Sequence, residues 1–319
     1  MHTAIEEFLA QLVPRFSQAG IAITEQKEIA YGVQLRLLRG YEVSVLNIYH
    51  SVKKGISTII GGRKDNSLRE ILSGIVAAEK PNRADPLEMH NWGHWCGSDE
   101  CGKGDYFGAL VVAGFSAFRE DIPHLKKLGV RDSKWMRDQE IVSLAKKLYA
   151  EYASRITCIV LRPQKYNEIY ADMKRKGQNL NDLLAWQHSR VIQDLYTRDG
   201  SIEGALVDRF SKAEKVRLAI KKKLPLLPVI ERPGGEADPA VAAASVIARY
   251  QFIQAHETMS RYFDTQFPFG AAPVVKTVAE GFIGKFGVQR LGEVAKLHFV
   301  TTSQLKVPAP AAKEAKPNA

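Results

Sequence analysis

Residues 97–108 read Gly-Ser-Asp-Glu-Cys-Gly-Lys-Gly-Asp-Tyr-Phe-Gly and hold the densest chemistry in the chain. Asp99 and Glu100 close a strand-like run that begins near Trp95. Hard cations such as Mg2+ take oxygen ligands, and carboxylates at the end of a rigid strand are a common way to fix them. Gly102 and Gly104 bracket Lys103, so backbone N–H groups can approach a phosphate while the lysine adds positive charge. A dinucleotide loop fails on spacing, because Gly102, Gly104 and Gly108 give G-x-G-x-x-x-G and no glycine opens a following helix. A Walker loop fails as well. From these residues alone, a solvated strand end beside a turn stays open as the plain alternative.

Asp208 stands in a comparable place, ending the apolar run Leu206-Val207. Asp238 precedes Pro239 and the small-residue run 240–248, where an Asp at the N-cap and a Pro at the first helical position are ordinary helix-start chemistry. Glu236 is a nearby substitute for it as a ligand. Arg131-Asp-Ser-Lys134 precedes a predicted helix, so Asp132 or Ser133 reads as a cap, or Ser133 and Lys134 as phosphate contacts. His90, His94, Cys96 and Cys101 match no common zinc spacing, and Cys96 falls inside a strand whose side chains alternate between faces. His188 and His298 are single histidines near apolar positions and read as core or surface residues.

The elements that must position these groups follow from hydrophobic periodicity. Ile5, Phe8, Leu9, Leu12 and Phe16 fall at spacings of three and four and predict an opening helix. Alternation over 21–60, broken at Arg39-Gly40 and Lys53-Lys54-Gly55, predicts an antiparallel meander, and a helix follows over 67–79. The segment 80–86 is polar with two prolines and reads as a linker. Beyond it, strands ending near Asp99 and spanning 107–118, 156–161 and 205–207 alternate with helices over 135–152, 164–174 and 180–196. That alternation predicts an α/β sheet covered by helices. The Pro/Ala/Lys-rich stretch after 306 lacks periodicity and is expected to be disordered.

The 319 residues, 45% of them hydrophobic, are enough for about two domains with cores. A net charge of +10 favours a polyanionic partner such as nucleic acid. Three cysteines are too few and too clustered for a disulfide framework, which points to a reducing, cytoplasmic setting. The first residues lack a signal-peptide pattern, and no apolar run is long enough to span a membrane.

Taken in order, Asp99-Glu100-x-Gly102-Lys-Gly104, Asp132-Ser-Lys134, Val207-Asp208-Arg-Phe210, Ala237-Asp238 and Ala242-Ala-Ala-Ser-Val-Ile-Ala-Arg249 resemble the type 2 ribonucleases H, with bacterial ribonuclease HIII the nearest pattern. Gly104-Asp-Tyr-Phe-Gly108 and Lys296-Leu-His-Phe299 add to the resemblance, which runs from about 97 to 299. It implies an α/β, ribonuclease H-like catalytic domain over 86–303, an N-terminal α+β, TATA-binding-protein-like substrate-binding domain over 1–85, and a disordered tail over 304–319. It implies a monomeric endonuclease that cleaves the RNA strand of RNA/DNA hybrids with two Mg2+ or Mn2+ ions, leaving a 3′-hydroxyl and a 5′-phosphate. Asp99, Glu100, Asp208 and Asp238 are the implied metal-binding acids. Gly102, Lys103, Gly104, Ser133 and Lys134 are the expected substrate contacts. Residues 267–276 lack the tyrosine that ribonuclease HII uses at an RNA–DNA junction, so runs of ribonucleotides are the expected substrate rather than single ones. Ribonuclease HII-like incision, a non-catalytic hybrid-binding protein and a DNA-directed metal nuclease are the alternatives.

Overall fold

In the computed structural model, residues 3–51, 55–61, 67–79, 89–211 and 213–306 are described. The expected linker and nearly all of the expected tail lie outside them. The chain divides into two compact units, Met1–Asp85 and Pro86–Ala319.

The first unit is a four-stranded antiparallel sheet in the order β1-β2-β3-β4, formed by β1 (Ala22–Ile29), β2 (Gly32–Arg39), β3 (Glu42–Ser51) and β4 (Gly55–Gly61). Val33, Leu35 and Leu37 alternate inward on β2, as Leu46 and Ile48 do on β3. They meet the apolar stripes of α1 (Thr3–Gln18) and α2 (Ser67–Glu79), among them Phe8, Leu12, Leu68 and Leu72, in one core. Both helices therefore cover one face of the sheet. The other face carries Gln34 bonded to Asn47 at 2.7 Å, exposed Arg36 opposite Val45, and exposed Ile59 opposite Asn47.

The second unit is built on a mixed sheet in the order β7-β6-β5-β8-β9. Its strands are β5 (His94–Cys101), β6 (Leu110–Phe118), β7 (Ile156–Leu161), β8 (Gly204–Asp208) and β9 (Val229–Arg232). β5 pairs antiparallel with β6 and parallel with β8, which makes it the central strand. The strand expected to start at Phe107 starts at Leu110, because Phe107 instead bridges Ala295 from the C-terminal segment. Likewise the helix expected from Trp135 begins at Asp138, after a 3-10 turn over Ser133–Trp135.

One face of this sheet is covered by α8 (Pro239–Tyr262), the other by α6 (Leu180–Arg198). The run of alanines lets α8 come close. A Cβ on Gly97 would stand 2.2 Å from the Val241 nitrogen, so the central strand can carry no side chain there. The first unit and this sheet share no strand, and each has its own core.

Candidate active site

Strand parity sorts the acids. Gly97 faces α8, so Asp99 does too, while Ser98 and Glu100 point to the α6 side. Ser98 pairs with Val207 in the parallel ladder, which sets Asp208 beside Asp99 at the ends of neighbouring strands. The Gly235 N–H donates to Asp208 Oδ1 at 3.1 Å and brings the 3-10 turn Gly235–Ala237, with Glu236 in it, to the same strand end. Asp99, Glu100, Asp208 and Glu236 thus feel one another's charge, and the exposed Lys134 side chain lies within electrostatic reach of Asp99, Asp208 and Glu236.

Burial holds the Asp99 carboxyl well above the usual range, and the neighbouring Glu100 and Asp208 charges add to it. Asp208 is pushed up to about 6, by burial first and then by Glu236. For Glu100 burial works upward as well, but the hydrogen bond and charge of His188 and the Lys103 ammonium outweigh it and hold the group low. Lys134 is held above its ordinary value: burial opposes its charge, and Asp132, Asp99, Glu236 and Asp208 more than offset this. Oxygen donors of one sign, buried together, are what a hard divalent cation neutralises. Among the described residues no three His, Cys, Asp or Glu side chains already enclose a space for an ion. The donor set fits Mg2+ or Mn2+ in kind.

Asp238, the fourth of the expected metal-binding acids, has hydrogen-bond partners of its own. Its Oδ1 accepts from the N–H groups of Ala240 (2.9 Å) and Val241 (3.0 Å), and it caps α8. The Trp95 indole N–H donates to both its oxygens, and His90 Nε2 lies 3.3 Å from Oδ2. The expected cap is therefore present, and the same carboxylate also takes the indole. Glu236, two residues earlier, is the acid turned toward Asp208.

The turn after β5 is gripped from several sides. Gly102 has φ 91°, and a Cβ there would lie 2.2 Å from the Ala109 carbonyl oxygen, so only glycine fits. Lys103 Nζ lies 3.5 Å from Glu100 Oε1, while space around Gly104 is open. Gly270 N–H donates to Asp105 Oδ1 at 2.6 Å and its carbonyl accepts from Tyr106 N–H. Lys296, buried, donates from Nζ to the carbonyls of Gly108 (2.7 Å) and Ala109 (3.5 Å), and burial pushes its amine down to about 7. Ser133 Oγ meets Ser245 Oγ of α8 at 2.5 Å, and Asp132 caps the 3-10 turn through Lys134 N–H at 3.0 Å. The loop lacking a tyrosine does offer an aromatic surface: Phe269 is 42% exposed and rests on the Arg249 guanidinium, 4.7 Å from its ring centre.

The sequence places His188 in the core or on the surface and offers Lys296 only as part of a motif; neither reading foresees their bonds to β5 and to the turn after it. His188 lies on the stripe Leu184, His188, Val191, Leu195, all buried on α6, and that helical spacing is the signal that places it inside.

A five-stranded mixed sheet with carboxylates at the ends of its two central parallel strands is the frame of a ribonuclease H-like nuclease. The sequence pattern of the Ribonuclease HII family matches residues 96–302. Ribonuclease HIII of Chlamydia caviae is 38% identical over 211 residues, 66% of this chain and 68% of that protein. Ribonuclease HIII of Chlamydia abortus is 39% identical over 207 residues, 64% of this chain and 67% of that protein. The crystal structure of Bst-RNase HIII in complex with Mn2+ superposes with a TM-score of 0.62 at 26% identity, covering 94% of this chain and 95% of the other. The chain belongs to the ribonuclease HII family, the type 2 ribonucleases H, on its ribonuclease HIII branch.

Proposed function

We propose that this chain is an endoribonuclease that hydrolyses the RNA strand of RNA/DNA hybrids and leaves a 3′-hydroxyl and a 5′-phosphate. The observation that carries the reading is the placement of Asp99 and Asp208 at the ends of adjacent parallel strands, with Glu100 and Glu236 beside them and the Gly102-Lys103-Gly104 turn following directly.

Asp99, Glu100, Asp208 and Glu236 are the residues that would hold two Mg2+ or Mn2+ ions; Glu236 replaces Asp238 in that set. When bound, the ions supply Lewis acidity that lowers the pKa of an attacking water and neutralises charge on the phosphate and the leaving oxygen. The chain's own part is electrostatic and positional. The clustered acids create the demand for positive charge, and Lys134, within electrostatic reach of Asp99, Asp208 and Glu236, meets part of it. Backbone N–H groups at Gly102 and Gly104, with Lys103, bind the scissile phosphate and the 2′-hydroxyls that distinguish RNA from DNA. Ser133, tied to α8, orients the turn that carries Lys134.

The N-terminal unit is the affinity module. The sheet face opposite its helices mixes Arg36, Gln34 and Asn47 with Val45 and Ile59, a surface suited to a duplex backbone and groove. The free cysteines Cys96, Cys101 and Cys158 suit a reducing, cytoplasmic setting.

One experiment tests the reading: RNA/DNA hybrid, duplex RNA, duplex DNA and DNA with a single ribonucleotide, each incubated with the protein in Mg2+ and in Mn2+. Cleavage of the hybrid's RNA strand alone is expected. Cleavage of duplex DNA, or no cleavage of any substrate, would overturn it.

A further inference from the structure

We propose that His188 is a positioning residue that fixes the Glu100 carboxylate and decides which of its oxygens is offered to a bound cation. The inference deepens the reading above and rests on Glu100 being a metal ligand.

His188 is fully buried. Its Nε2 lies 3.2 Å from Glu100 Oε2, and its Nδ1 is bonded to the Ser98 hydroxyl. An ionised carboxylate only accepts, so Nε2 carries a proton and donates to Glu100. The Ser98 hydroxyl, which can donate or accept, engages Nδ1 in either protonation state of the ring. Ser98 and Glu100 are two apart on β5 and project from the same face. A single imidazole therefore spans both, and its two nitrogens are spent on the strand that carries the acids. The ring is stacked on Phe210, with centroids 5.2 Å apart and planes 20° apart, so it cannot tilt away. Phe210 follows Asp208 by two residues, and the Lys103 ammonium lies 5.3 Å from its ring centre and 3.5 Å from Glu100 Oε1.

These contacts divide the labour of the two Glu100 oxygens. Oε2 is held by the imidazole, and Oε1 is turned toward Lys103 and the turn. A residue present only to fill the core would be served by an apolar side chain. A histidine with both nitrogens engaged at a strand end bearing catalytic acids instead removes the rotational freedom of one of them. Partners of this kind, one bond behind the ligands, typically change metal affinity or activity about 10- to 100-fold when removed.

The test is a Mn2+ titration of the full chain, followed by the electron paramagnetic resonance signal of free Mn2+, with thermal melts by circular dichroism alongside. His188→Phe removes the donor and is expected to weaken Mn2+ binding about 10-fold or more. His188→Gln keeps an N–H that can reach Glu100 and is expected to bind within a few-fold of the wild type. Glu100→Gln sets the scale for loss of the ligand itself. The proposal is overturned if His188→Phe binds Mn2+ like the wild type while Glu100→Gln does not, or if Gln at 188 is as weak as Phe with both melts unchanged. Should His188→Phe fail to fold, Ser98→Ala takes its place: weakened binding supports the clamp, and wild-type binding overturns it. Wild-type binding by Glu100→Gln would instead remove Glu100 from the ligand set, a failure of the underlying reading that the other variants do not mimic.

Discussion

The indole N–H of Trp95 donates to both oxygens of Asp238, at 3.1 Å each, and so ties the cap of α8 to the central strand that α8 covers. Removing that carboxylate frees two helix N–H groups and orphans a buried indole donor. Asp238→Ala should cost about 2–4 kcal/mol, the sum of a lost cap and an unsatisfied buried group, read from urea unfolding. The folded fraction should still cleave hybrid at saturating Mg2+. A variant of native stability but no activity would put Asp238 back among the ligands.

For the acids that face one another the expectation is reversed. Asp99→Asn and Glu236→Gln keep shape and remove charge, so hybrid cleavage should fall by orders of magnitude while the melting temperature holds or rises. Glu236→Gln is the sharper of the two. Wild-type turnover there would exclude Glu236 from the site.

Without divalent ions the cluster should make the protein less stable as pH rises. Asp208 has its folded pKa near 6, above its unfolded value, so the native state binds more protons than the unfolded state between about pH 4 and 6. Stability is therefore lost through that window. Partial exposure screens the effect to roughly 1–2 kcal/mol. Asp208→Asn should flatten the melting temperature over this range, and saturating Mg2+ should restore the wild type above pH 6. A flat profile in the ion-free wild type would contradict the raised pKa.

The N-terminal sheet should act on affinity alone. Arg36→Ala, on its open face, should raise KM and reduce the salt dependence of hybrid binding by about one phosphate contact, leaving kcat unchanged. An unaltered salt slope would show that this face binds something other than a duplex.

Hydrophobic period made most elements legible, and it succeeded where local pattern and tertiary contacts agree. The helix over 67–79 and the strand over 156–161 begin and end where the spacing puts them. It overreached at Phe107, because an apolar residue bridging the C-terminal segment looks, in sequence, like one more strand position. Among the acids, Asp99 and Asp208 are readable because each ends an apolar run. Asp238 and Glu236 lie two residues apart, and nothing in the local sequence says that Asp238 will accept from the Trp95 indole while the charge of Glu236 reaches Asp208. His188 shows a further limit. Its helical register marks it as buried, yet nothing within α6 says that two side chains of β5 will use both its nitrogens.

The grip of Lys296 on Gly108 and Ala109 spans 188 residues of sequence for the first of these. At about 5–20 residues per second, the ribosome finishes Gly108 roughly 10–40 s before it delivers Lys296. The acids of β5 are thus among the early products of synthesis, while the turn beside them gains its last support near the end. A nascent or prematurely terminated chain carries the reactive carboxylates without the fastened turn that presents a substrate to them. Order of synthesis itself therefore leaves the turn beside Asp99 and Glu100 unfastened until residue 296 has been added.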